Sequence, residues 1–519
     1  MNLGDILTNA ARVHPDTTAL VWDEGGGRRS YRELNHRADA LAGALSSGLG
    51  VCPGDRVAVM MYNGPTLLEA MFAVWKAGAT VVPLNARFTA DEIAYHVADS
   101  GARVLIGGRD FAATLTGMRE RIEAETLVLD GGGDGAVDLD RLAAAHAGQP
   151  APTVAVADDD VAWIAYTSGT TGRPKGAMLT HGALTFVAVS WLADLQRLEP
   201  EDVGLYAAPL THGAGIMALA FTMKACTQVL LQPTGFDAAR FLETIARERV
   251  THTWLVPTQI RMVLEHPALD GADLSTLRTI VYGGAPMHVE HLKEAIRRIG
   301  PVFVQLFAQT ESPMTATYLR PQEHVVDGPG SERLASCGHV RSGMEVAILD
   351  AGDGPVPAGE AGEVCVRGPA LMKGYWQRPE ATAEALRGGW LHTGDIGRLD
   401  DHGYLYILDR SKDMLISGGL NVYPREIEEV LLRHPAVSEC AVIGVPDERW
   451  GETAMAVVVC AEGEDVTAAE LKRFAGDHLA PYKKPRAFEF VSALPRTTYG
   501  KIDKKALRAP HWAGRERMV

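Results

Sequence analysis

Apolar residues in the first part of the chain fall into two alternating patterns. Continuous apolar runs at residues 56–61, 80–84 and 103–106 are typical of buried strands, and the stretches between them carry apolar residues three or four positions apart, as helices do. Ser30 and Thr89 each precede a glutamate by three residues, which is the capping-box signature of a helix start. The alternation predicts an α/β fold whose mostly parallel sheets are flanked by helices on both faces.

The later part of the chain continues this pattern and then changes it. Residues 250–257, 279–284 and 302–309 are further strand-like runs, and the first of them is expected to end as a strand at the proline of position 257. Near the end of the chain, runs at residues 440–444 and 454–459 precede a helix with its own capping box. That closing segment predicts a small α+β domain.

Composition and charge exclude several classes of protein. The 519 residues are enough for more than one domain, and 46% hydrophobic and 22% charged residues are ordinary for a globular protein. The net charge of −15 argues against a nucleic-acid partner, which would need a basic surface. The six cysteines show no zinc-type spacing, the N-terminus lacks a basic signal-peptide region, and no apolar run approaches the roughly 18 residues of a membrane span. We expect a cytoplasmic protein with reduced thiols.

One stretch, from Tyr166 to Gly176, combines glycines, hydroxyl side chains and a lysine within a few positions, directly after a strand-like run. Its glycines can adopt positive φ and let backbone N–H groups approach an anion, its hydroxyl groups can donate hydrogen bonds, and its lysine supplies a positive charge. The phosphate-binding candidates are Thr167, Ser168, Gly169, Thr170, Thr171, Gly172 and Lys175. It is not a Walker A loop, because Pro174 precedes the lysine and a glycine follows it. On composition alone, a flexible surface turn is the alternative.

The ordered residues of this stretch resemble the phosphate loop of the adenylate-forming superfamily, which contains acyl-CoA synthetases, firefly luciferase and peptide-synthetase adenylation domains. Further segments resemble the motifs of that superfamily in the same order, at residues 279–286, 302–311, 389–395, 404–413, 416–424 and 495–501. The resemblance covers nearly the whole chain. It implies a large N-terminal domain at residues 1–409, which holds the ATP and acyl sites, and a small mobile domain at residues 410–519.

The resemblance implies a nucleotide site. Its residues are Gly283, Gly284 and Ala285 along the adenine, Thr310 at the phosphates, Glu311 at Mg²⁺, and Asp395 and Arg410 at the ribose. A carboxylate suits Mg²⁺ because this hard cation prefers oxygen ligands. A carboxylate on a glycine turn can accept two charge-assisted hydrogen bonds from a ribose diol. Without the resemblance, Glu311 and Arg410 would be interpreted as ordinary exposed charges.

The resemblance also implies a domain movement between two half-reactions. Lys501 is expected to reach the substrate carboxylate and the α-phosphate during adenylation, and Lys412 is the expected hinge. After rotation of the small domain, Gly418 and Gly419 would border the pantetheine tunnel. Read alone, the two lysines would be interpreted as solvated charges.

The acyl pocket is the part that the motifs constrain least. Its candidate residues are His212, Gly213, Trp254, Gly283, Phe307 and Ala308, of which the histidine is also a candidate catalytic residue. His212 is equally well explained as a structural residue, and Trp254 slightly better as a core residue. Ala308 stands where the superfamily has glycine, and its methyl group should narrow or shorten the pocket. We therefore prefer a compact aromatic or cyclic acid, with branched and medium-chain acids left open.

The function implied is ATP-dependent activation of a carboxylic acid to an acyl-adenylate, with release of pyrophosphate, followed by acyl transfer to CoA. ATP, Mg²⁺ and CoA are the expected cofactors and co-substrates. The alternatives are transfer of the acyl group to a carrier-protein thiol or to an amine, a luciferase-type oxygenase, and a nucleotide-binding regulator without turnover. The intact Glu311, Asp395 and Lys501 argue against the regulator.

Overall fold

Strands and helices alternate along most of the chain, as the apolar pattern predicts. The computed structural model describes residues 1–22, 26–148, 153–167, 173–231, 235–410, 412–417, 420–447, 450–497 and 502–513. In chain order the strands are β1 (Thr18–Trp22), β2 (Gly27–Ser30), β3 (Arg56–Met60), β4 (Thr80–Pro83), β5 (Val104–Gly107), β6 (Thr126–Leu129), β7 (Val137–Asp138), β8 (Val161–Thr167), β9 (Lys175–Thr180), β10 (Val203–Tyr206), β11 (Thr227–Leu230), β12 (His252–Leu255), β13 (Thr279–Gly283), β14 (Phe303–Gln309), β15 (Ser312–Leu319), β16 (His339–Val340), β17 (Glu345–Leu349), β18 (Gly362–Arg367), β19 (Leu391–Leu399), β20 (Leu405–Arg410), β21 (Leu415–Ser417), β22 (Leu420–Val422), β23 (Val437–Asp447), β24 (Gly451–Cys460) and β25 (Ala487–Phe490). The α-helices are α1 (Gly4–Val13), α2 (Tyr31–Gly43), α3 (Pro65–Lys76), α4 (Ala90–Ser100), α5 (Ala112–Gly117), α6 (Leu139–Ala144), α7 (His181–Asp194), α8 (Gly213–Met223), α9 (Ala238–Glu248), α10 (Pro257–Glu265), α11 (Val289–Ile299), α12 (Pro379–Ala385), α13 (Pro424–Leu431), α14 (Ala468–His478) and α15 (Lys504–Arg508).

Two large sheets form the body of the molecule. One has the strand order β7-β6-β5-β3-β4-β8-β9 and is parallel except for the β8–β9 hairpin at its edge. The other has the order β16-β15-β14-β13-β12-β10-β11-β1-β2, with parallel strands from β14 to β1 and antiparallel strands at both ends. The expected α/β fold class is confirmed by these sheets and by the helices between their strands.

Local sequence signals explain where these elements begin and why they are buried. Ser30 and Glu33 form the predicted capping box of α2, and Thr89 and Glu92 form that of α4, each with reciprocal side-chain to backbone hydrogen bonds. All four residues of β4 and all four of β5 are buried. Their continuous apolar sequence follows from their place in the middle of a parallel sheet that is covered on both faces.

Two smaller sheets follow. Strands β17 to β20 form a four-stranded antiparallel sheet. Strands β21 to β25 form a five-stranded sheet with its own apolar core, which includes residues of α13 and α14. The capping box that Thr467 makes with Glu470 starts α14, as predicted. No helix along the described stretches is long and apolar enough to cross a membrane.

Two details differ from the expectation. The strand expected to end at Pro257 ends at Leu255, and Pro257 instead opens α10, because a proline at the first helical position needs no N–H partner. Asp395 was expected on a glycine turn, but it lies within β19 and is buried. The preceding Gly394 has a φ of +68° inside this strand, and such a distortion re-aims the side chain that follows.

Candidate active site

The nucleotide-site candidates gather at one edge of the nine-stranded sheet. Strands β10, β12, β13 and β14 run parallel, so their carboxyl ends lie together. His212 follows β10, Gly284 follows β13, and Thr310 follows β14. In α/β folds ligands bind at this edge of the sheet.

The predicted phosphate loop connects the two strands of the β8–β9 hairpin. Thr167 and Lys175 pair with each other at the mouth of the hairpin. The candidates Ser168, Gly169, Thr170, Thr171 and Gly172 lie outside the described residues. The described strands bring Thr167 and Lys175, the two ends of the predicted loop, next to each other.

The segment at residues 372–376 ties this hairpin to the turn after β14. The backbone N–H of Met372 donates to the carbonyl of Glu311 at 2.8 Å, and that of Trp376 donates to the carbonyl of Gly176 at 2.8 Å. One short segment therefore holds the phosphate-loop hairpin and the predicted Mg²⁺ ligand in a fixed relation, although they belong to different sheets.

Tyr375 connects two of the predicted site residues directly. Its hydroxyl donates to Glu311 Oε1 at 2.7 Å, and Lys175 Nζ lies 5.2 Å from the centre of its ring. Burial, together with the neighbouring Glu311 carboxylate, raises the pKa of Tyr375, so the phenol stays protonated and remains a donor. The lysine position also gives a cation–π contact.

Asp395 is fixed from two sides. Gln309 Nε2 donates to Asp395 Oδ2 at 2.7 Å and to the Thr393 carbonyl at 2.8 Å. Arg410, its cross-strand partner on β20, places its Nε 3.2 Å from Asp395 Oδ1. A buried carboxylate is stable only when it is hydrogen-bonded and paired in this way.

Gly283 and Gly284 have different physical reasons for being glycine. A Cβ atom on Gly283 would lie 2.5 Å from the carbonyl oxygen of Leu306 on the neighbouring strand, so only glycine fits there. Gly284 has a φ of +78°, and no described atom lies within 4 Å of a Cβ built on it. The backbone between Gly284 and Ala285 is thus open on one side, which suits contact with a flat ring.

Two acyl-pocket candidates, His212 and Gly213, lie at the start of α8. His212 Nδ1 lies 3.0 Å from the Thr211 hydroxyl, and burial lowers the pKa of His212 to about 4, so its ring is neutral at pH 7. A Cβ on Gly213 would lie 3.1 Å from Cε of Met314, a buried residue with a φ of +58°. Trp254 is also buried.

The β14 strand supplies the remaining pocket candidates. Ala308 lies at the irregularity between Phe307 and Gln309, where the β14–β15 register shifts. Phe307 is partly buried and packs against the main apolar core. The structure thus brings both residues to the sheet edge that carries the other candidates.

The hinge candidate Lys412 follows Arg410 closely, and burial lowers its pKa. The candidates Gly418, Gly419 and Lys501 lie outside the described residues.

Sequence reasoning missed three residues that hold the site together. Tyr375 and Gln309 were not selected because their partners lie far away in the sequence, and Met314 was not selected because nothing local marks it. Its positive φ is visible only in the structure. The sequence offered one indication for Gln309: it occupies the variable position of the motif at residues 302–311, directly before Thr310 and Glu311.

Comparison with known proteins agrees with this arrangement. The sequence profile of the AMP-binding enzyme family matches residues 7–376, and that of the AMP-binding enzyme C-terminal domain matches residues 426–501. The chain belongs to the AMP-binding enzyme family. The expected superfamily is therefore confirmed.

Relatives of this AMP-binding enzyme match over almost the full chain. A feruloyl-CoA synthase from Amycolatopsis sp is 42% identical over 512 residues, which are 98% of each chain. The solved structure of the amide bond synthetase McbA from Marinactinospora thermotolerans has a TM-score of 0.88 and 32% identity, over 97% of this chain and 99% of that one. The anthranilate CoA ligase AuaEII in complex with anthranoyl-AMP has a TM-score of 0.89 and 28% identity, over 98% of this chain and 97% of that one.

Proposed function

We propose that this AMP-binding enzyme is a CoA ligase for compact aromatic carboxylic acids. The reaction is that of AMP-forming acyl-CoA ligases: a carboxylate attacks the α-phosphorus of ATP, pyrophosphate leaves, and the acyl group of the adenylate then passes to the thiol of CoA. The acid class is the part that this proposal adds.

The first half-reaction needs positioning and charge stabilisation, since a carboxylate is a weak nucleophile. In our proposal the hairpin loop that ends at Lys175 holds the phosphates, and Asp395, fixed by Gln309 and Arg410, holds the ribose. Lys501 contacts the attacking carboxylate and neutralises the negative charge that develops on the α-phosphate oxygens. His212 closes the acyl side as a neutral ring, because burial lowers its pKa to about 4.

Glu311 fits the role of a Mg²⁺ ligand. The Tyr375 hydroxyl donates to one oxygen of the Glu311 carboxylate at 2.7 Å and so leaves the other oxygen as a ligand for a hard cation. A bound Mg²⁺ supplies charge neutralisation of the phosphate oxygens.

The second half-reaction requires the small domain to rotate. We keep residues 1–409 and 410–519 as the proposed domains, with Lys412 as the hinge. Rotation removes Lys501 from the adenylate and brings the Gly418–Gly419 loop to border the path of the pantetheine arm. Such gating separates the two chemical steps in one site.

The observation that carries the preference for aromatic acids is the nature of the pocket candidates. The ring of Trp254 lies 6.4 Å from that of Trp191 at an interplanar angle of 39°, and Cε of Met314 would lie 3.1 Å from a Cβ built on Gly213. Flat rings and a polarisable thioether make favourable contacts with an aromatic ring. The methyl group of Ala308 removes space that a long alkyl tail would need. The relatives named for ferulate and anthranilate support the same class.

The test is pyrophosphate release with MgATP across matched acids, each with and without CoA. The panel consists of ferulate, anthranilate, branched-chain acids and straight-chain acids of six to sixteen carbons. We expect the highest kcat/KM for an aryl acid, with CoA-dependent turnover and a thioester product. A higher kcat/KM for a long straight-chain acid would contradict the proposed acid class.

An amide-forming enzyme is the second candidate, because the amide bond synthetase McbA shares this fold at 32% identity. An amine acceptor would give an amide product that does not depend on CoA. The same panel with an added amine therefore separates the two functions by product mass.

A further inference from the structure

A group of metal-ligand side chains lies beside the proposed ribose site and has no role in it. Glu363 and Cys365 are two positions apart on β18, so their side chains face the same side of the sheet. His392 on the neighbouring strand β19 pairs with Cys365. One ligand atom from each of the three lies within 4.8 Å of the others. His392 Nδ1 is 2.8 Å from Glu363 Oε2 and 3.4 Å from Cys365 Sγ.

These separations are close to those around a tetrahedral cation. Zinc–sulfur and zinc–nitrogen bonds of about 2.3 Å and 2.0 Å place neighbouring ligand atoms roughly 3.3–3.6 Å apart. The Sγ–Nδ1 separation of 3.4 Å already satisfies this, and the Glu363 oxygen needs to withdraw by about half an ångström. Thiolate, imidazole and carboxylate together suit Zn²⁺ and related cations, whereas Mg²⁺ prefers oxygen ligands alone.

The second ring nitrogen of His392 gives an independent indication. The side chain is 4% exposed, and Nε2 is buried without a hydrogen-bond partner among the residues that the structure describes. Asp353 Oδ1 lies 3.9 Å from this nitrogen. A histidine that binds a metal through one nitrogen commonly gives the N–H of the other to a carboxylate.

We propose that Glu363, Cys365 and His392 bind a thiophilic divalent cation of the Zn²⁺ type, and that the bound cation weakens nucleotide binding. A fourth position is filled by water from the side of Glu363 and Asp353, which are 23% and 40% exposed. The Cys365 thiol releases its proton to solvent when the metal–sulfur bond forms.

Arg387 sets the affinity of this site. Its guanidinium pairs with Asp353 at 3.0 Å and with Glu363 at 3.3 Å. An incoming cation replaces this positive charge, and the arginine, already 40% exposed, turns into solvent. Because the arginine competes for Glu363, the cation binds less tightly than it would without this ion pair.

The link to the nucleotide runs through one hydrogen bond. Glu363 Oε1 accepts from the backbone N–H of Gly394 at 2.9 Å, directly before Asp395. To admit the cation, Oε2 of Glu363 has to move away from His392 by about half an ångström, and Oε1 moves with it as part of the same carboxylate. This movement disturbs the hydrogen bond to Gly394 in the distorted segment that aims Asp395. This second part of the inference rests on the proposed ribose role of Asp395.

The site itself is tested with Co²⁺ as a spectroscopic probe on the full chain. We expect a thiolate-to-cobalt charge-transfer absorption that saturates at one equivalent and that Zn²⁺ reverses. Cys365→Ala should abolish this absorption, and the matched control Cys460→Ala should keep it. No absorption, or an equal absorption in Cys365→Ala, would overturn the site whether or not the enzyme has the proposed activity.

The coupling is tested by calorimetry of AMP binding, with one equivalent of Zn²⁺ and no CoA, whose thiol would bind the metal. The Kd for AMP should rise about three- to tenfold in the wild type, and a chelator should reverse the rise. In Cys365→Ala the Kd should not respond to Zn²⁺. An unchanged Kd in metal-loaded wild type would overturn the inhibitory role. If AMP fails to bind without metal, the proposed function fails, and the cobalt experiment still decides the site.

Discussion

Replacement of Gln309 by methionine tests whether this side chain positions the carboxylate of Asp395, the proposed ribose ligand. Methionine has nearly the same length and volume but cannot donate a hydrogen bond. The wild-type amide donates to Asp395 Oδ2 at 2.7 Å and to the Thr393 carbonyl at 2.8 Å. The variant therefore removes a charge-assisted donor from a buried carboxylate while it leaves the packing of β14 almost unchanged.

The size of the effect follows from that bond. A hydrogen bond to a charged group contributes about 1.5–3 kcal/mol. If the loss appears in ribose binding, it corresponds to a rise of roughly 10- to 150-fold in the Kd for AMP and in the KM for MgATP. The ribose contact is made in both the ground state and the transition state, so kcat should change much less than KM.

The assays are calorimetry with AMP and initial rates of pyrophosphate release at varied MgATP. Gln305→Met is the matched control, because Gln305 lies on the same strand and its amide donates to the Cys337 thiol at 3.4 Å and not to Asp395. Both variants should unfold within a few degrees of the wild type. A Kd for AMP that stays within about twofold in Gln309→Met would refute the positioning role.

Four further predictions use other parts of the molecule. Lys501→Ala should slow pyrophosphate release by roughly 10²–10³-fold, as for loss of one charge-stabilising donor, and an unchanged rate would remove it from the mechanism. Lys412→Pro, which fixes φ, should leave adenylation intact and slow thioester formation; equal losses in both half-reactions would instead indicate general damage. Ala308→Gly should raise the kcat/KM of a long straight-chain acid relative to an aryl acid by about tenfold, since one methyl group contributes about 1–3 kcal/mol in a pocket, and an unaltered ratio would place Ala308 outside the pocket. Burial lowers the pKa of His181 and of His324 from 6.5 to about 4. Below about pH 6.5 the unfolded chain binds protons at these two histidines, whereas the folded protein does so only near pH 4. The free energy of unfolding therefore decreases as the pH falls from about 6.5 towards 4, by up to about 3 kcal/mol for each histidine. Thermal unfolding followed against pH should show a shallower acid slope in His324→Gln, and an identical slope would contradict this assignment.

Much of the fold could be predicted because its signals are local. The capping boxes at Ser30, Thr89 and Thr467 each need only four neighbouring residues, and all three form as expected. The buried parallel strands were recognisable because both of their faces are apolar. Pro257 was misjudged because proline ends strands and begins helices with equal ease, and the sequence before it does not distinguish these cases.

The contacts that assemble the site could not be predicted in the same way. Tyr375 and Glu311 are 64 positions apart, and Gln309 and Asp395 are 86 positions apart. Such pairs depend on how separate sheets pack, and no short-range pattern encodes that packing. The resemblance to a superfamily supplied the candidate ligand-facing residues through their motifs. Tyr375, which orients Glu311, lies outside the motif segments, and the contact of Gln309 with Asp395 became visible only with the structure.

The proposed hinge lies between a segment that is bound to the large domain and a segment that is bound to the small domain. Arg410 is bound to the large domain, because it pairs with Asp395 in the β19–β20 ladder and its guanidinium lies 3.2 Å from that carboxylate. Asp413, three residues later, pairs at 2.8 Å with Arg508 of α15, which belongs to the small domain. Arg508 also donates to the carbonyl of Lys412 at 3.3 Å, so the described chain is attached to the proposed small domain from Lys412 onward. We infer that the proposed rotation takes place at this junction, after Arg410.

The described contacts between the two proposed domains include ion pairs and hydrogen bonds. Arg425, for example, donates from its backbone N–H to Asp409 at 2.9 Å. Glu439 on β23 pairs with Arg261 at 2.6 Å, and Glu429 on α13 lies 3.1 Å from His288. Contacts of this kind release more readily than a continuous apolar interface does, as expected between domains that move. Asp395, the proposed ribose ligand, lies before the proposed hinge in the large domain. Our proposal therefore expects the adenylate to stay bound through Asp395 while the small domain exchanges Lys501 for the loop of Gly418 and Gly419.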